Sequence, residues 1–177
     1  MGLSLVNLDD DTRRFMLEEI ELDIANDKFY ISPRLNDRGR TAYPALLKEA
    51  AERQDDTWLA NSLRAGGMFN ATEQRRKPKG GYTEVSVPVT APDTLAEGEF
   101  NRFYARAMCR LAIEKRRPEL EVYRAKEVSQ PRSESQAKLG TKVNAEALLK
   151  DLRTHQGVDT ALGLPNGPNS GLSVKLT

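Results

Sequence analysis

The sequence predicts a mainly helical α+β fold, with N-terminal helices, a central long helix, a small β element and an extended C-terminal tail. Three observations predict it. Apolar residues recur at three- and four-residue spacings in several segments, valines alternate with polar residues in residues 82–89, and the C-terminal end is rich in glycine and proline. Because only 38% of the 177 residues are hydrophobic, the core is lean, and we expect part of the chain to be extended over a surface.

Four parts are predicted along the chain. They are a helical region over residues 1–67, a basic loop and extended strand or arm over 68–93, an α+β core over 94–156, and a Gly/Pro-rich tail over 157–177.

Three helices are predicted in the first part. Asp10 or Asp11 caps the first, which ends at residues 26–27. A turn over 36–39 follows, and then Pro44 occupies the first turn of the second helix. The third is capped by Asp55 or Asp56 and stops at the glycine pair 66–67, so that it forms a helical hairpin with the second.

The second part joins a basic loop to a strand. The loop, ATEQRRKPKGG, carries four cations: Arg75, Arg76, Lys77 and Lys79. In the following YTEVSVPV, the period of two predicts a strand, and Pro88 indicates a sheet edge or an extended arm.

The central helix has the clearest start signal, because Thr94 and Glu97 match a capping box. An apolar stripe follows and predicts a core helix that ends before Pro118; its members are Phe100, Phe103, Tyr104, Ala107, Met108 and Leu111. Beyond it we expect a strand over 120–128, a polar loop over 129–141 and a helix capped by Asn144. The tail from Gly157 should be disordered when free, and we expect it to lie along another chain.

The net charge of +1 gives the chain no overall field that attracts DNA or a membrane, but the charge is unevenly distributed. Residues 1–30 hold eight acids against three bases, a net −5, which leaves +6 for the rest. The single cysteine, Cys109, allows no intrachain disulfide. No apolar run is long enough to span a membrane, and the N-terminus lacks the pattern of a signal peptide.

Three arginines four residues apart, Arg102, Arg106 and Arg110, form a line on the central helix that is turned away from the apolar stripe. Arginine favours planar, bidentate contact with carboxylate or phosphate. We therefore expect this arginine stripe and the basic loop to bind a partner. A solvated face is the plain alternative.

Two partners suit that surface. One is an acidic protein surface, such as Glu18 and Glu21 on the first helix of another copy, which would give a heterologous contact able to close into a ring. The other is the backbone of nucleic acid. A third reading stays open, in which the acidic helix and the arginine stripe pair within one chain and leave no argument for assembly.

Catalytic patterns are weak. His155 lies where a helix ends and has no second histidine for a metal, and Cys109 has no patterned partner. Carboxylate pairs on the first helix, Glu18 with Glu21 and Glu19 with Asp23, suit a solvated or partner-facing acidic side better than two-carboxylate chemistry. We expect no cofactor, no metal and no enzymatic activity, with a small metal-dependent hydrolase as the least favoured hypothesis.

Three blocks of the sequence carry a resemblance: MLEEIELDI with YISPRL, TLAEGEFNRFYARAMCRLAIE, and YRAKEVSQPRSESQAKLGTKV with LLKDLR and GVDTALGLPNGPNSGLSVKL. They resemble a family of small structural proteins of tailed-bacteriophage and prophage virions. The resemblance implies a virion component at the head, neck or head–tail connector, made in the bacterial host cytoplasm. Its partners would be copies of itself and portal, capsid or tail proteins. The alternative is a nucleic-acid-binding accessory protein that uses the basic loop and the arginine stripe.

Overall fold

The computed structural model describes residues 2–155 and 171–177 of the chain. These residues form six helices and five strands, and the mainly helical α+β class is confirmed. The order is α1 (Asp10–Ala25), α2 (Asp37–Arg53), α3 (Asp56–Ala65), β1 (Thr72–Arg76), β2 (Tyr82–Ser86), α4 (Ala91–Glu114), β3 (Glu119–Arg124), α5 (Ser133–Lys138), β4 (Lys142–Asn144), α6 (Ala145–Thr154) and β5 (Leu172–Leu176).

Helix α4 is the centre of the fold. It packs against α1, α2, α3 and α6, and it also contacts β3 and β5. The apolar stripe predicted for this helix is buried, with Phe100, Phe103, Tyr104 and Met108 fully enclosed. Because neighbours surround α4 on several sides, the helix buries more of its circumference than one amphipathic face.

The start of α4 differs from the prediction. The helix begins at Ala91, with Thr90 at the N-cap and a proline in the first turn, where its fixed backbone angle and missing N–H are tolerated. The predicted capping box is therefore wrong. The Thr94 hydroxyl donates to the Thr90 carbonyl at 3.1 Å, and Glu97 forms an ion pair with Lys126.

Side-chain caps fix the starts of four other helices, α1, α2, α3 and α6. The Asp55 carboxylate accepts a hydrogen bond from the Trp58 N–H at 2.7 Å, and the Asn144 amide oxygen accepts one from Ala147 at 2.9 Å, so these two predicted caps are confirmed. Helix α1 is capped by Asp9, one residue before the expected aspartates.

Helix α2 is longer than predicted because Asn36 caps it, accepting a hydrogen bond from the Gly39 N–H at 2.9 Å. The expected turn over 36–39 is thus the first turn of the helix, and Pro44 lies in its interior rather than at its start. The Asn36 side chain also donates to the carbonyl of Gly67 at 2.8 Å, which ties the start of α2 to the end of α3.

The strands form two sheets. β3 lies between β4 and β5 in an antiparallel sheet, so a strand was correctly predicted near residues 120–124. β1 and β2 form a separate antiparallel hairpin. The predicted basic loop is therefore partly a strand, and the predicted polar loop over 129–141 contains the short helix α5.

The last strand of the chain, β5, pairs within the chain. β5 pairs with β3, with Val174 opposite Val122, and Leu172 and Val174 are buried. The expectation that this end lies along another chain is wrong for residues 172–176, because these residues complete a sheet beneath α4. The rest of the expectation for the tail, over 157–170, lies outside the described residues.

Candidate interaction surface

The arginine stripe of α4 points into the protein. Arg106 is fully buried, and the side chain of Arg102 is 5% exposed, while that of Arg110 is 28% exposed. The expected outward orientation is therefore wrong for Arg102 and Arg106. The physical reason is that α1 packs along the arginine side of α4 and supplies carboxylates there, so the guanidinium groups are neutralised as they are buried.

Arg106 is the centre of this buried cluster. Its Nη1 and Nη2 donate to the two oxygens of Asp23 at 2.7 and 2.9 Å, and its Nε donates to Glu19 at 2.8 Å. This is a bidentate contact with one carboxylate and a hydrogen bond to a second, which uses the planar fork of arginine fully.

Glu19 collects three cations. Arg153 of α6 donates to it at 2.6 and 3.0 Å, and Arg110 lies 3.4 Å away, in addition to Arg106. Burial acts to raise the pKa of Glu19, but the hydrogen bonds and positive charges of Arg153 and Arg106 outweigh it, so the pKa is lowered. The carboxylate therefore stays ionised inside the fold and joins α1, α4 and α6.

Arg102 occupies the other end of the cluster. It donates to Glu99 at 2.7 Å, and its Nη1 lies 3.6 Å from Asp23. That nitrogen and the Tyr43 hydroxyl are buried and have no hydrogen-bond partner among the described residues. Burial and the nearby Glu99 raise the pKa of Tyr43, so this hydroxyl keeps its proton.

The acidic residues expected to face a partner are also paired within the chain. Glu18 lies 2.7 Å from Arg110, and Glu21 lies 2.9 Å from Lys48. The intrachain pairing left open by the sequence is thus the one that the structure contains. The ion pairs between the acids of α1 and the arginines of α4 and α6 hold these three helices together.

The basic loop, in contrast, is held away from the core. β1 and β2 pair in register, with Arg75 opposite Thr83 and Arg76 opposite Tyr82, and they pack on each other far more than on any other described element. We call residues 72–86 the arm. All four of its cations, Arg75, Arg76, Lys77 and Lys79, are exposed, and Tyr82 is 67% exposed.

Contacts with residues 33–36 attach the arm at its root. Arg34 donates to the two oxygens of Glu73 at 2.6 and 2.8 Å, and Leu35 forms an isolated bridge with Phe69 just before β1. Hydrogen bonding by Arg34 lowers the pKa of Glu73, with the charge of Arg34 and then of Arg75 assisting. Glu73, the acidic residue of β1, is therefore paired with Arg34 at the root of the arm.

An open groove lies beside the root of the arm. Apolar side chains from the end of α3, the segment before the arm and the residues before α4 line it, among them Leu63, Met68, Phe69, Val87 and Val89. Val89 is 89% exposed, and the polar side chains of Arg64 and Asn70 complete the lining.

The residues considered for catalysis have structural surroundings. His155 caps the end of α6 and lies 2.5 Å from Asp151, while Cys109 is buried in α4, and burial raises the pKa of its thiol. Glu19 and Asp23 are engaged by guanidinium groups. In the described part of the chain, no three His, Cys, Asp or Glu side chains are grouped to hold a metal ion.

The comparisons with known proteins give no relative. No protein-family model matches the chain, no curated protein matches it, and no solved structure matches the fold. Within the described residues, no helix has the length and apolar character needed to cross a membrane.

Three participants in these sites were not singled out from the sequence. Arg153 and Glu99 complete the buried cluster, and Arg34 anchors the arm. Arg153 and Arg34 pair with residues 134 and 39 positions away, so no local pattern marks those pairs. Glu99 and Arg102 are three residues apart on one helix, and that spacing was a usable signal.

Proposed function

We propose that this protein is a structural component of a tailed-bacteriophage virion, at the head–tail connector or neck or on the capsid. The resemblance of three sequence blocks to structural proteins of tailed-bacteriophage virions suggests that the protein is part of such a particle. The observation that carries the proposal is the arm, an extended element with both strands exposed and no extensive packing on the described body.

An isolated two-stranded hairpin is marginally stable in water, so an exposed arm of this kind gains order when a neighbouring molecule covers it. Virion proteins frequently use extended arms that become ordered only on the surface of a neighbour. In this proposal the arm replaces the arginine stripe as the contact, and the neighbours of the protein are copies of itself and other virion proteins.

The buried cluster supports a passive, structural role. Carboxylates and guanidinium groups that satisfy one another inside the fold are not available to a substrate, and they fix the orientation of α1, α4 and α6. The proposal therefore assigns no catalytic residue, no metal and no cofactor.

The alternative, a nucleic-acid-binding accessory protein, loses Arg102 and Arg106 as phosphate contacts because both are buried. This alternative still has the four exposed cations of the arm as possible phosphate contacts. The same cations also help to identify the partner of the arm if the protein is a virion component.

Mass spectrometry of purified particles tests the proposed function. Particles from a strain that carries the encoding phage or prophage should contain this chain in a fixed ratio to the major capsid protein. A variant with residues 74–84 replaced by Asn-Gly keeps the Glu73–Arg34 anchor and closes the hairpin between Glu73 and Val85, a pair in the same hydrogen-bonded phase as the bond from the Val87 N–H to the Ala71 carbonyl. It should retain the helical circular-dichroism signal and be missing from particles. Purified particles without the wild-type chain would exclude the proposal.

A further inference from the structure

We infer that the outer half of the arm binds the phosphate backbone of nucleic acid. This inference rests on the proposed function because it names a partner for the same arm. Its test uses purified protein and needs no virus particles.

Charge is the first observation. Residues 75–82 carry four basic side chains and no acidic one. Since the whole chain has a net charge of +1, the remainder sums to −3. Net positive charge is therefore concentrated on the outer half of the arm, which favours this element as the phosphate contact.

The cations of the arm are available for a ligand. None of Arg75, Arg76, Lys77 and Lys79 forms a salt bridge with a described residue, whereas the buried arginines of α4 are all paired. Arg75 influences Glu73, but that carboxylate is already held by both nitrogens of the Arg34 fork. The second acid of the arm, Glu84, lies opposite Gln74, nearer the root than the cations.

Shape is the second observation. A two-stranded ribbon fits a groove of duplex DNA, whose major groove is about 12 Å wide, and five residues of strand extend about 16 Å. The tip is a tight turn with Pro78 in its second position, closed by a hydrogen bond from the Gly80 N–H to the Lys77 carbonyl at 3.1 Å. Gly80 and Gly81 have φ of 91° and 78°, which other residues adopt only with strain.

The pairing of Arg76 with Tyr82 adds a stacking group. Residues directly opposite in an antiparallel pair project from the same face, so the side chains of Arg76 and of the exposed Tyr82 share one face of the ribbon near its tip. Proteins that bind nucleic acid without sequence preference combine such a cation with an aromatic platform for a base.

Fluorescence anisotropy with the full-length chain tests the inference. The probes are a labelled 20-base-pair duplex and a labelled 20-nucleotide single strand, with labelled polyglutamate as the protein-like polyanion. Four phosphate contacts predict a slope of log affinity against log salt of about −3.6 for the duplex and about −2.8 for the single strand. Duplex affinity should then fall about 100-fold between 50 and 200 mM salt.

Two variants with the same loss of charge separate the arm from general electrostatics. The arm variant carries Arg75→Gln, Arg76→Gln, Lys77→Gln and Lys79→Gln. The control variant neutralises four exposed cations outside the arm by Lys28→Gln, Arg38→Gln, Lys115→Gln and Lys150→Gln. We expect the arm variant to lose at least about tenfold in affinity and most of its salt slope, and the control variant to retain both.

A third variant, Tyr82→Ala, distinguishes the two forms of nucleic acid. Weakening that is larger for the single strand than for the duplex indicates base stacking, and equal weakening indicates backbone contact by the ribbon; both outcomes support the inference. The absence of binding at 50 mM salt, equal losses in the arm and control variants, or polyglutamate binding as tight as that of the oligonucleotides would overturn it.

The two proposals fail differently. If the chain is present in particles and the shortened arm excludes it from them, while the oligonucleotides do not bind, the structural role stands and the partner of the arm is a protein. If the oligonucleotides bind through the arm but particles lack the chain, the phosphate site stands and the virion role is lost.

Discussion

Replacing Arg106 by methionine tests the buried cluster most directly. Methionine is unbranched and apolar and fills a comparable volume, so the change removes the charge while leaving little empty space. Asp23 is 3% exposed, and without Arg106 its nearest cation would be Arg102, whose Nη1 lies 3.6 Å away, too far for a hydrogen bond. Glu19 would keep Arg153 at 2.6 Å.

The magnitude follows from this difference between the two carboxylates. Removing one partner of a buried ion pair costs about 3–5 kcal/mol, because the remaining charge is left desolvated and uncompensated. Here Asp23 bears most of that cost. The free energy of unfolding of Arg106→Met should therefore be lower than that of the wild type by about 3–5 kcal/mol, and adding Asp23→Leu should recover about 2 kcal/mol or more.

Urea unfolding followed by circular dichroism at 222 nm measures the effect. With a denaturant dependence of about 2 kcal/mol per molar urea, a loss of 4 kcal/mol moves the midpoint by about 2 M. Arg110→Met is the matched control, since that arginine is partly exposed and pairs with the exposed Glu18, and it should cost about 1 kcal/mol or less. A shift of less than about 0.5 M for Arg106→Met would refute the buried pairing, because it is the result expected of an arginine that faces solvent or a partner.

Three further predictions concern single residues. The pKa of Glu19 is lowered in the folded protein, so its ionised carboxylate stabilises the fold at pH values above 4.5, its ordinary pKa. The difference in free energy of unfolding between wild type and Glu19→Gln should therefore be constant above about pH 5 and shrink as the pH falls below 4.5. Urea midpoints measured across this pH range check it. Cys109 is buried and has a raised thiol pKa, so it should react with a disulfide reagent only slowly in native protein and fully in urea, and fast native labelling would contradict its position. Asn144→Ala should cost about 1 kcal/mol in chemical unfolding because it removes a helix cap, whereas Thr94→Ala should stay within about 0.5 kcal/mol, and equal losses would mean that the assignment of the caps is wrong.

The sequence predicted the elements whose signals are local. Asp55 and Asn144 start their helices with a side chain that reaches an N–H three residues ahead, so a few neighbouring residues suffice. The error at Thr94 has the same origin. Thr90 and Thr94 are both acceptable helix starts, and the chain selects the earlier one because Pro92 is already suited to a first turn.

β1 could not be predicted from its own residues. Its five residues, Thr-Glu-Gln-Arg-Arg, include no apolar residue, and a strand with neither face buried has no alternating pattern to detect. Its partner strand and the glycine turn between them specify it. The sequence signal that was available is the spacing of a strand-like segment after a Pro-Lys-Gly-Gly turn, which is typical of a hairpin.

The arginine stripe shows why a line of like charges is ambiguous in sequence. Arg102, Arg106 and Arg110 have the same spacing whether they face solvent, a partner or a helix of their own chain. Two further patterns favour the last case: Glu19 and Asp23 are also four residues apart, and small residues lie between the arginines of α4, where they let a neighbouring helix approach closely.

The internal pairing changes where a partner can bind. The acids of α1 pair with the arginines of α4 inside the fold, so these two groups do not form oppositely charged surfaces on the outside. Copies of the chain therefore cannot assemble by placing an acidic helix on an exposed arginine stripe. Cations remain exposed on the arm and at the end of α4, where Arg117 is engaged with the carbonyl of Thr177. The arm differs from that second site in projecting its charge on a ribbon with an aromatic residue beside it. Because the control variant neutralises Lys115 at the end of α4 together with three exposed cations elsewhere, a loss of binding in that variant would show that the phosphate contact extends beyond the arm.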